Sequence, residues 1–310
     1  MRRVAAASGS TGLVSVGRMT SVAVVTGANS GIGRATAIHF AARGFTVLGT
    51  VRDRWRATKL GAMAAERGVD VELVELDVAD DESVRRGFDE ILTRTGAVDV
   101  LVNNAGVTRN GVVEESSPSD YLEVMNINLC GAVRCTRAVL PGMRERGRGA
   151  IVNVSSVVGR VAALAQSPYV ASKWALEGVT EGLAQELAPF GVRVAIVEPG
   201  ITKSAIFAKS VDFPHATGAY DAPYRRMFQM YATGIPQATD PFEVAGVIHH
   251  AVTTDRPQLR YVTSWGADEL IRGRERMSDA EWVSLGAASE DGTYYARFEQ
   301  LFGLDIRPAG

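Results

Sequence analysis

Cysteine is almost missing from this chain: its 310 residues hold two, Cys130 and Cys135. They stand five apart on one predicted helix and point to different faces, which argues against a disulfide framework and suits a reducing, cytoplasmic setting. Histidine is nearly as rare, and His39, His215, His249 and His250 show no ligand spacing, so no metal centre is expected. Charge of one sign is lacking too: a net charge of -2 and a pI near 6.1 provide no basic field for nucleic acid. No segment approaches the roughly 20 consecutive apolar residues that span a bilayer. Internal repeats and long low-complexity stretches are absent. These absences leave a soluble chain long enough to bury a large core.

Residues 1–18 contain Arg2, Arg3 and Arg18, no acid, and many Ala, Ser and Gly, without an apolar run long enough for a signal peptide. A disordered tail is expected there. Met19, just before the first apolar run, leaves an overextended start open, with a transit peptide as a further alternative. Strand patterns fall near 22–26, 46–51, 71–76, 98–102, 150–155, 192–197 and 260–263, separated by helical patterns. This alternation predicts one α/β domain over 19–310, built on a Rossmann-like, doubly wound, seven-stranded and mainly parallel sheet. Residues 203–239 are expected to form a substrate lid and 240–310 a C-terminal extension.

The run Val22-Ala-Val-Val-Thr26 leads into Gly27-Ala-Asn-Ser30-Gly31-Ile32-Gly33, after which Ala35, Ile38 and Ala42 recur at helical spacing. That reads as strand, glycine turn and helix, a unit whose turn lets backbone approach a phosphate and whose helix amides then hold it. The spacing Gly-x-x-x-Gly-x-Gly differs from the common Gly-x-Gly-x-x-Gly fingerprint. Further along, Tyr169 and Lys173 are four residues apart, so a helix carries them on one face. A phenol with a pKa of about 10 acts as acid or base only beside a positive charge that stabilises its phenolate. Ser167-Pro168 reads as the helix start and puts Tyr169 in the first turn. Taken singly, each pattern leaves a plain turn, or an accidental Tyr and Lys, as the alternative.

In order along the chain, Thr26-Gly27-x-x-x-Gly31-Ile32-Gly33, Asn103-Asn104-Ala105-Gly106, Asn128, Ser156 and Tyr169-x-x-x-Lys173 resemble the short-chain dehydrogenase/reductase family. The resemblance runs from about Ser21 to Thr202, closes on Pro199-Gly200 and Thr202, and thins over the last third. It implies Tyr169 as proton donor or acceptor, Ser156 as hydrogen-bond partner of the substrate oxygen, and Lys173 as the group that holds a cofactor ribose and lowers the tyrosine pKa. Asn128 is implied as the anchor of a water in the proton relay; an amide satisfying nearby backbone is its alternative. Ser156, thirteen residues before Tyr169, has the family's common spacing, whereas Ser155 reads as a strand-end hydroxyl bonded to backbone. The same resemblance puts Gly27, Ser30, Gly31, Ile32 and Gly33 at the cofactor phosphates and Asp77 with Val78 at its adenine. Asn104 and Gly106 would lie along it, with Pro199, Gly200 and Thr202 beside it and Thr202 near its carboxamide. Helices around Pro168 to Ala188, carrying Trp174, Val179 and Leu183, commonly make subunit contacts in the family, so a homodimer or homotetramer is implied.

The charge at the end of the second strand selects the cofactor, because that position faces the adenosine ribose. An acid there would bond the free hydroxyl of NAD; this chain has Val51 and then Arg52, whose guanidinium can pair with the extra phosphate of NADP. NADP is expected over NAD, with a solvent-facing arginine as the alternative because Asp53 and Arg54 make the stretch generally charged.

Between Thr202 and Asp240 no strong period is evident, yet Phe207, Phe213, Tyr220, Tyr224, Met227, Phe228, Met230 and Tyr231 give the stretch an unusual aromatic and thioether load. Long connections of this kind often act as lids, and such surfaces suit bulky apolar ligands. The expected substrate is a small hydrophobic ketone or secondary alcohol; packing of a satellite core is the alternative for these side chains. The regions around Trp265 and Trp282 look like those of members with larger apolar substrates. Two rival functions remain at this level: a 3-oxoacyl thioester reductase with the same chemistry, and a non-catalytic NADP-sensing regulator, which has no need of Asn128, Ser156, Tyr169 and Lys173 together.

Overall fold

The computed structural model describes residues 20–204 and 216–308. The tail expected over 1–18, and Phe207 and Phe213 of the expected lid, lie outside the described residues. Among those described, seven strands form one sheet: β1 (Val22–Val25), β2 (Thr46–Val51), β3 (Glu72–Glu75), β4 (Val100–Asn103), β5 (Gly149–Val154), β6 (Val192–Pro199) and β7 (Arg260–Thr263). Every pairing is parallel, in the order β3-β2-β1-β4-β5-β6-β7. The chain thus starts at the centre, builds to one edge, and returns beside β1 to build the other. Where the winding reverses, between β1 and β4, a crevice opens at the carboxyl ends of the strands.

Eleven α-helices accompany the sheet among the described residues: α1 (Gly31–Ala41), α2 (Thr58–Glu66), α3 (Asp81–Thr95), α4 (Pro118–Met125), α5 (Gly131–Arg146), α6 (Ser167–Leu187), α7 (Asp221–Gly234), α8 (Pro241–Thr253), α9 (Ala267–Arg276), α10 (Asp279–Gly286) and α11 (Asp291–Phe302). None of them is long and apolar enough to cross a membrane. Successive side chains of a strand leave on opposite faces, and both faces of the central strand β1 are covered, so it reads as an unbroken apolar run, Val-Ala-Val-Val. Ala23 and Val25 of β1 pack with Ile38 and Phe40 of α1 and with Val244 and Ile248 of α8. Val22 and Val24 pack on the other side with Phe88 and Ile91 of α3 and Val139 and Met143 of α5. Cys130 and Cys135 are both free thiols, the first exposed and the second buried.

Two departures from the sequence reading matter for the site. The stretch 203–239, read as lacking a period, contains the fourteen-residue helix α7. Its signal was present: Tyr224, Met227, Phe228 and Tyr231 stand at i, i+3, i+4 and i+7, but Pro223 in the first turn and the mixture of Tyr with Arg and Gln blur the stripe. The extension after β7 is more organised than its loose motifs suggested. Met277, Leu285, Tyr294, Phe298, Phe302 and Ile306 form a core of their own, against which Leu164, Met230 and Trp265 pack.

Candidate active site

The turn after β1 shows why glycines occupy it. Gly27 and Gly31 have φ of 67° and 52°, a region that side-chain-bearing residues enter at a cost. A Cβ on Gly27 would stand 2.9 Å from Ala105 Cα, and one on Gly33 would stand 2.5 Å from the Gly27 carbonyl oxygen. The bare backbone is therefore needed for β1, its turn and the end of β4 to close together. Thr26 completes the closure: its hydroxyl accepts from the Asn104 and Ala105 amides at 2.9 and 3.0 Å. Helix α1 then begins at Gly31 with Ser30 as an N-cap that makes no side-chain bond and with no acid in its first turn. Open amides and glycine backbone at one helix N-terminus are what a pyrophosphate requires.

At the other side of the crevice, α6 opens at Ser167 with Pro168 following, where no backbone amide is needed, and Tyr169 falls in its first turn. Burial pushes the Tyr169 phenol up to about 12, and a hydrogen bond with Ser156 opposes this. Ser156 leaves β5 as the cap of a tight turn at Val157–Gly159, with its hydroxyl also 3.4 Å from the Pro199 carbonyl. One helical turn beyond Tyr169, Lys173 is buried, donates to the Val154 carbonyl at 2.9 Å, and holds its ammonium 5.7 Å from the Tyr169 ring centroid. Burial pushes Lys173 down to about 8, with Glu177 acting against the shift. Ser156 is thus the group that opposes the upward shift of the phenol, and Lys173 stands beside the ring.

Asn128 lies in a π turn, Asn126–Cys130, that joins α4 to α5. Its side-chain oxygen accepts from the Val107 amide at 2.8 Å, and its nitrogen donates to the Val107 carbonyl and to Ser172 Oγ, both at 2.9 Å. Both amide hydrogens are thus occupied by protein groups, while the oxygen keeps one lone pair beyond its bond to Val107. Ser155, the rival of Ser156, is buried, and among the described residues its hydroxyl has no hydrogen-bond partner, which differs from the strand-end bonding expected of it.

The residues assigned to the cofactor spread along the same edge. Arg52 is exposed just beyond β2, and among the described residues it has no ion-pair partner, whereas Arg54 pairs with Glu90 and Arg56 with Asp53. Asp77 follows β3, the neighbour of β2, and accepts from the Ala79 amide at 3.0 Å; Val78 is buried against Gly131. Asn104 donates to the Thr26 carbonyl at 2.9 Å, so its side chain braces the glycine turn. Gly106 backs onto Asn128, a Cβ there falling 3.2 Å from Asn128 Oδ1. Thr202 is buried, with its hydroxyl 2.8 Å from Ser264 Oγ.

Ser156, Tyr169, Pro199, Gly200, Thr202 and Ile32 meet in one cavity of about 220 Å³. Asn128 and Lys173 stand behind its wall, and Arg52, Asp77 and Val78 lie farther along the edge. The same cavity is lined by the aromatic side chains Trp265, Trp282, Tyr294, Phe298 and Phe302, with Gln166 and Arg226 among its polar lining. Of the side chains in the expected lid, Met227, Met230 and Tyr231 line it, whereas Phe228 does not and packs in a cluster with Tyr224, Met227 and Tyr231. The aromatic wall of α11 was missed from sequence. Its signal was Tyr294, Phe298 and Phe302 at four-residue spacing, a pattern that does not say what it covers.

A family model described as short chain dehydrogenase matches residues 21–214. The chain belongs to this family. The short-chain dehydrogenase relatives include the uncharacterized oxidoreductase YusZ of Bacillus subtilis, 34% identical over 85% of this chain and 96% of its own length. The 3-oxoacyl-[acyl-carrier-protein] reductase FabG of Vibrio harveyi is 34% identical over 78% of this chain and 92% of its own. Among solved structures, a short-chain dehydrogenase from Streptomyces avermitilis is 38% identical with a TM-score of 0.74, covering 87% of this chain and 99% of that one. A variant of the actinorhodin polyketide ketoreductase, solved with NADPH, is 30% identical with a TM-score of 0.69, covering 79% and 95%. The protein is therefore a short-chain dehydrogenase by family and an oxidoreductase acting on CH–OH groups.

Proposed function

We propose that this chain interconverts a hydrophobic ketone and its secondary alcohol with NADP(H). The observation that carries the reading is a cavity lined at once by Ser156 and Tyr169 and by Trp265, Trp282, Tyr294, Phe298 and Phe302. When bound, the nicotinamide supplies or takes up hydride at the substrate carbon. Tyr169 then gives its proton to the substrate oxygen in reduction, or takes one in oxidation, while Ser156 hydrogen-bonds the same oxygen and fixes its position. Lys173 stabilises the phenolate through space, in a dry setting where a charge acts strongly. Gly27, Ser30, Gly31, Ile32 and Gly33 would hold the pyrophosphate on backbone. Arg52, unpaired among the described residues while its neighbours are paired, would take the extra phosphate of NADP. Asp77 and Val78 would flank the adenine, and Thr202 the carboxamide. The NADPH complex of the actinorhodin ketoreductase supports the same cofactor.

A 3-oxoacyl thioester reductase is the second reading, and the identity with FabG of Vibrio harveyi favours it. Free apolar ketones and matched thioesters, assayed with NADPH and NADH, separate the two. Preference for the free ketones with NADPH is expected; a strong preference for thioesters would replace the substrate class, and preference for NADH would remove Arg52 from its role. Subunit contacts are proposed on the exposed apolar side chains Leu122 of α4 and Trp174 and Val179 of α6, testable by sedimentation.

A further inference from the structure

Behind Lys173 lies a buried ionic cluster that the reaction as described does not use. Glu177 follows Lys173 by one helical turn on the inner face of α6, and both are 5% exposed. One of its oxygens is 3.0 Å from Arg260 Nε of β7; the other, Oε1, is buried without a hydrogen-bond partner among the described residues. Glu198 of β6, wholly buried, comes within 3.1 Å of the same Arg260 Nε through Oε1, and its Oε2 is likewise unpartnered. The remaining charges facing this pair are Arg160, 3.4 Å from Glu198 Oε1, Glu181 of α6 on the far side of Arg260, and Glu275 of α9 on Arg160. Two carboxylates converging on one guanidinium nitrogen in a dry interior repel each other, and burial together with Glu177 holds Glu198 up to about 7. Such a cluster is costly to keep, and replacing it by apolar packing would often stabilise a protein.

We propose that Glu177 is a positioning residue for the reaction: its carboxylate, held by Arg260 one helical turn beyond Lys173, keeps the buried lysine charged. The inference rests on the reading that Lys173 assists Tyr169. The geometry supplies the reason a partner is needed: Lys173 has one backbone acceptor, Val154, and burial works against its charge. Gly159 leaves room for the arrangement, since a Cβ there would stand 3.0 Å from Glu177 Cγ and 2.8 Å from Ser155 Oγ.

The chain has four lysines, Lys59, Lys173, Lys203 and Lys209, so lysine-selective isotope labelling with NMR can follow the Lys173 titration without any turnover. In Glu177→Gln, Lys173 is expected to titrate about one pH unit lower than in the parent, a tenfold change in its charged fraction above that point. The alkaline limb of ketone reduction should move by the same amount, with activity recovered at lower pH and KM for the ketone little changed. Glu177→Asp, which keeps the charge, should restore most of the shift. Should Glu177→Gln fail to fold, the double variant E177Q/E198Q removes both buried carboxylates, leaves Arg260 its Glu181 partner, and carries the same expectation. An unmoved Lys173 titration overturns the proposal. Absence of turnover on every ketone would instead overturn the functional reading, because the NMR titration does not depend on it.

Discussion

Asn128 donates to Ser172 Oγ at 2.9 Å, and Ser172 in turn donates to the Tyr169 carbonyl at 2.7 Å. The π turn between α4 and α5 is thereby tied to the first turn of α6, and through Val107 to the loop after β4. Asn128→Ala leaves the Val107 groups and the Ser172 hydroxyl short of partners in a buried setting. A loss of about 1–3 kcal/mol for each unmet group is expected. Urea unfolding measures it, and turnover should fall with it because Tyr169 loses its support. Unchanged stability would mean that water replaces the amide at no loss.

The strand positions and the glycine turn were legible because their signals are local: β-branched runs, the glycines at 27, 31 and 33, and an apolar stripe beginning at Ala35. Tyr169 and Lys173 were legible for the same reason, being one helical turn apart. The aromatic wall was not, since Phe298 and Trp265 reach the cavity only after α11 packs on the loop following β7, a contact no short window encodes. Arg260 and Glu177, 83 positions apart, were hidden for the same cause. Asn128 shows a subtler limit: its place was readable, but the groups its amide bonds were not.

Tyr169→Phe removes one transferable proton and keeps the ring that packs against Lys173 and the cavity. Turnover should drop by at least about a hundredfold, the lower range of what a positioned acid contributes, with NADPH affinity nearly intact. Single-turnover kinetics and a fluorescence titration of NADPH give the two readings. Activity within about tenfold of the parent would remove Tyr169 from its role.

Arg52→Ala tests the cofactor reading without touching the chemistry. A charge-assisted hydrogen bond is worth roughly 1.5–3 kcal/mol, so NADPH affinity should fall about tenfold to a hundredfold while NADH affinity stays near the parent value. Calorimetry with both dinucleotides is sufficient. An equal loss for both would show that Arg52 serves solvent or fold.

The pH dependence of reduction follows from two opposed shifts. Tyr169, raised to about 12, keeps its proton throughout the working range, so it does not limit reduction from the alkaline side. Lys173, lowered to about 8, loses its charge within that range, and the phenolate formed during transfer then lacks support. The kcat/KM for a neutral ketone should therefore be level below pH 8 and decline above it, approaching tenfold per unit for a single essential ionisation. A profile that stays level well beyond the Lys173 value would mean that its charge is not required.

The substrate class is tested at the wall of the cavity. Phe298 and Trp282 line it from the C-terminal extension, and Met227 from α7. Truncating a buried aromatic to Ala costs a protein about 3–5 kcal/mol, which would confuse binding with folding, so Phe298→Leu and Met227→Leu are the better changes. A bulky ketone that packs on these side chains loses part of the roughly 1.5–3 kcal/mol that a fully buried side chain contributes. Its KM should rise severalfold to a hundredfold, while that of a small ketone, which leaves the wall uncovered, should stay within about twofold. Phe228→Leu serves as the control, because Phe228 packs beside Tyr231 without lining the cavity, and it should affect large and small ketones alike. Thermal unfolding of each variant separates a lost contact from a loosened fold. Equal losses for both ketone sizes in the Phe298 and Met227 variants, at unchanged Tm, would place the substrate elsewhere and end the case for a bulky apolar ligand.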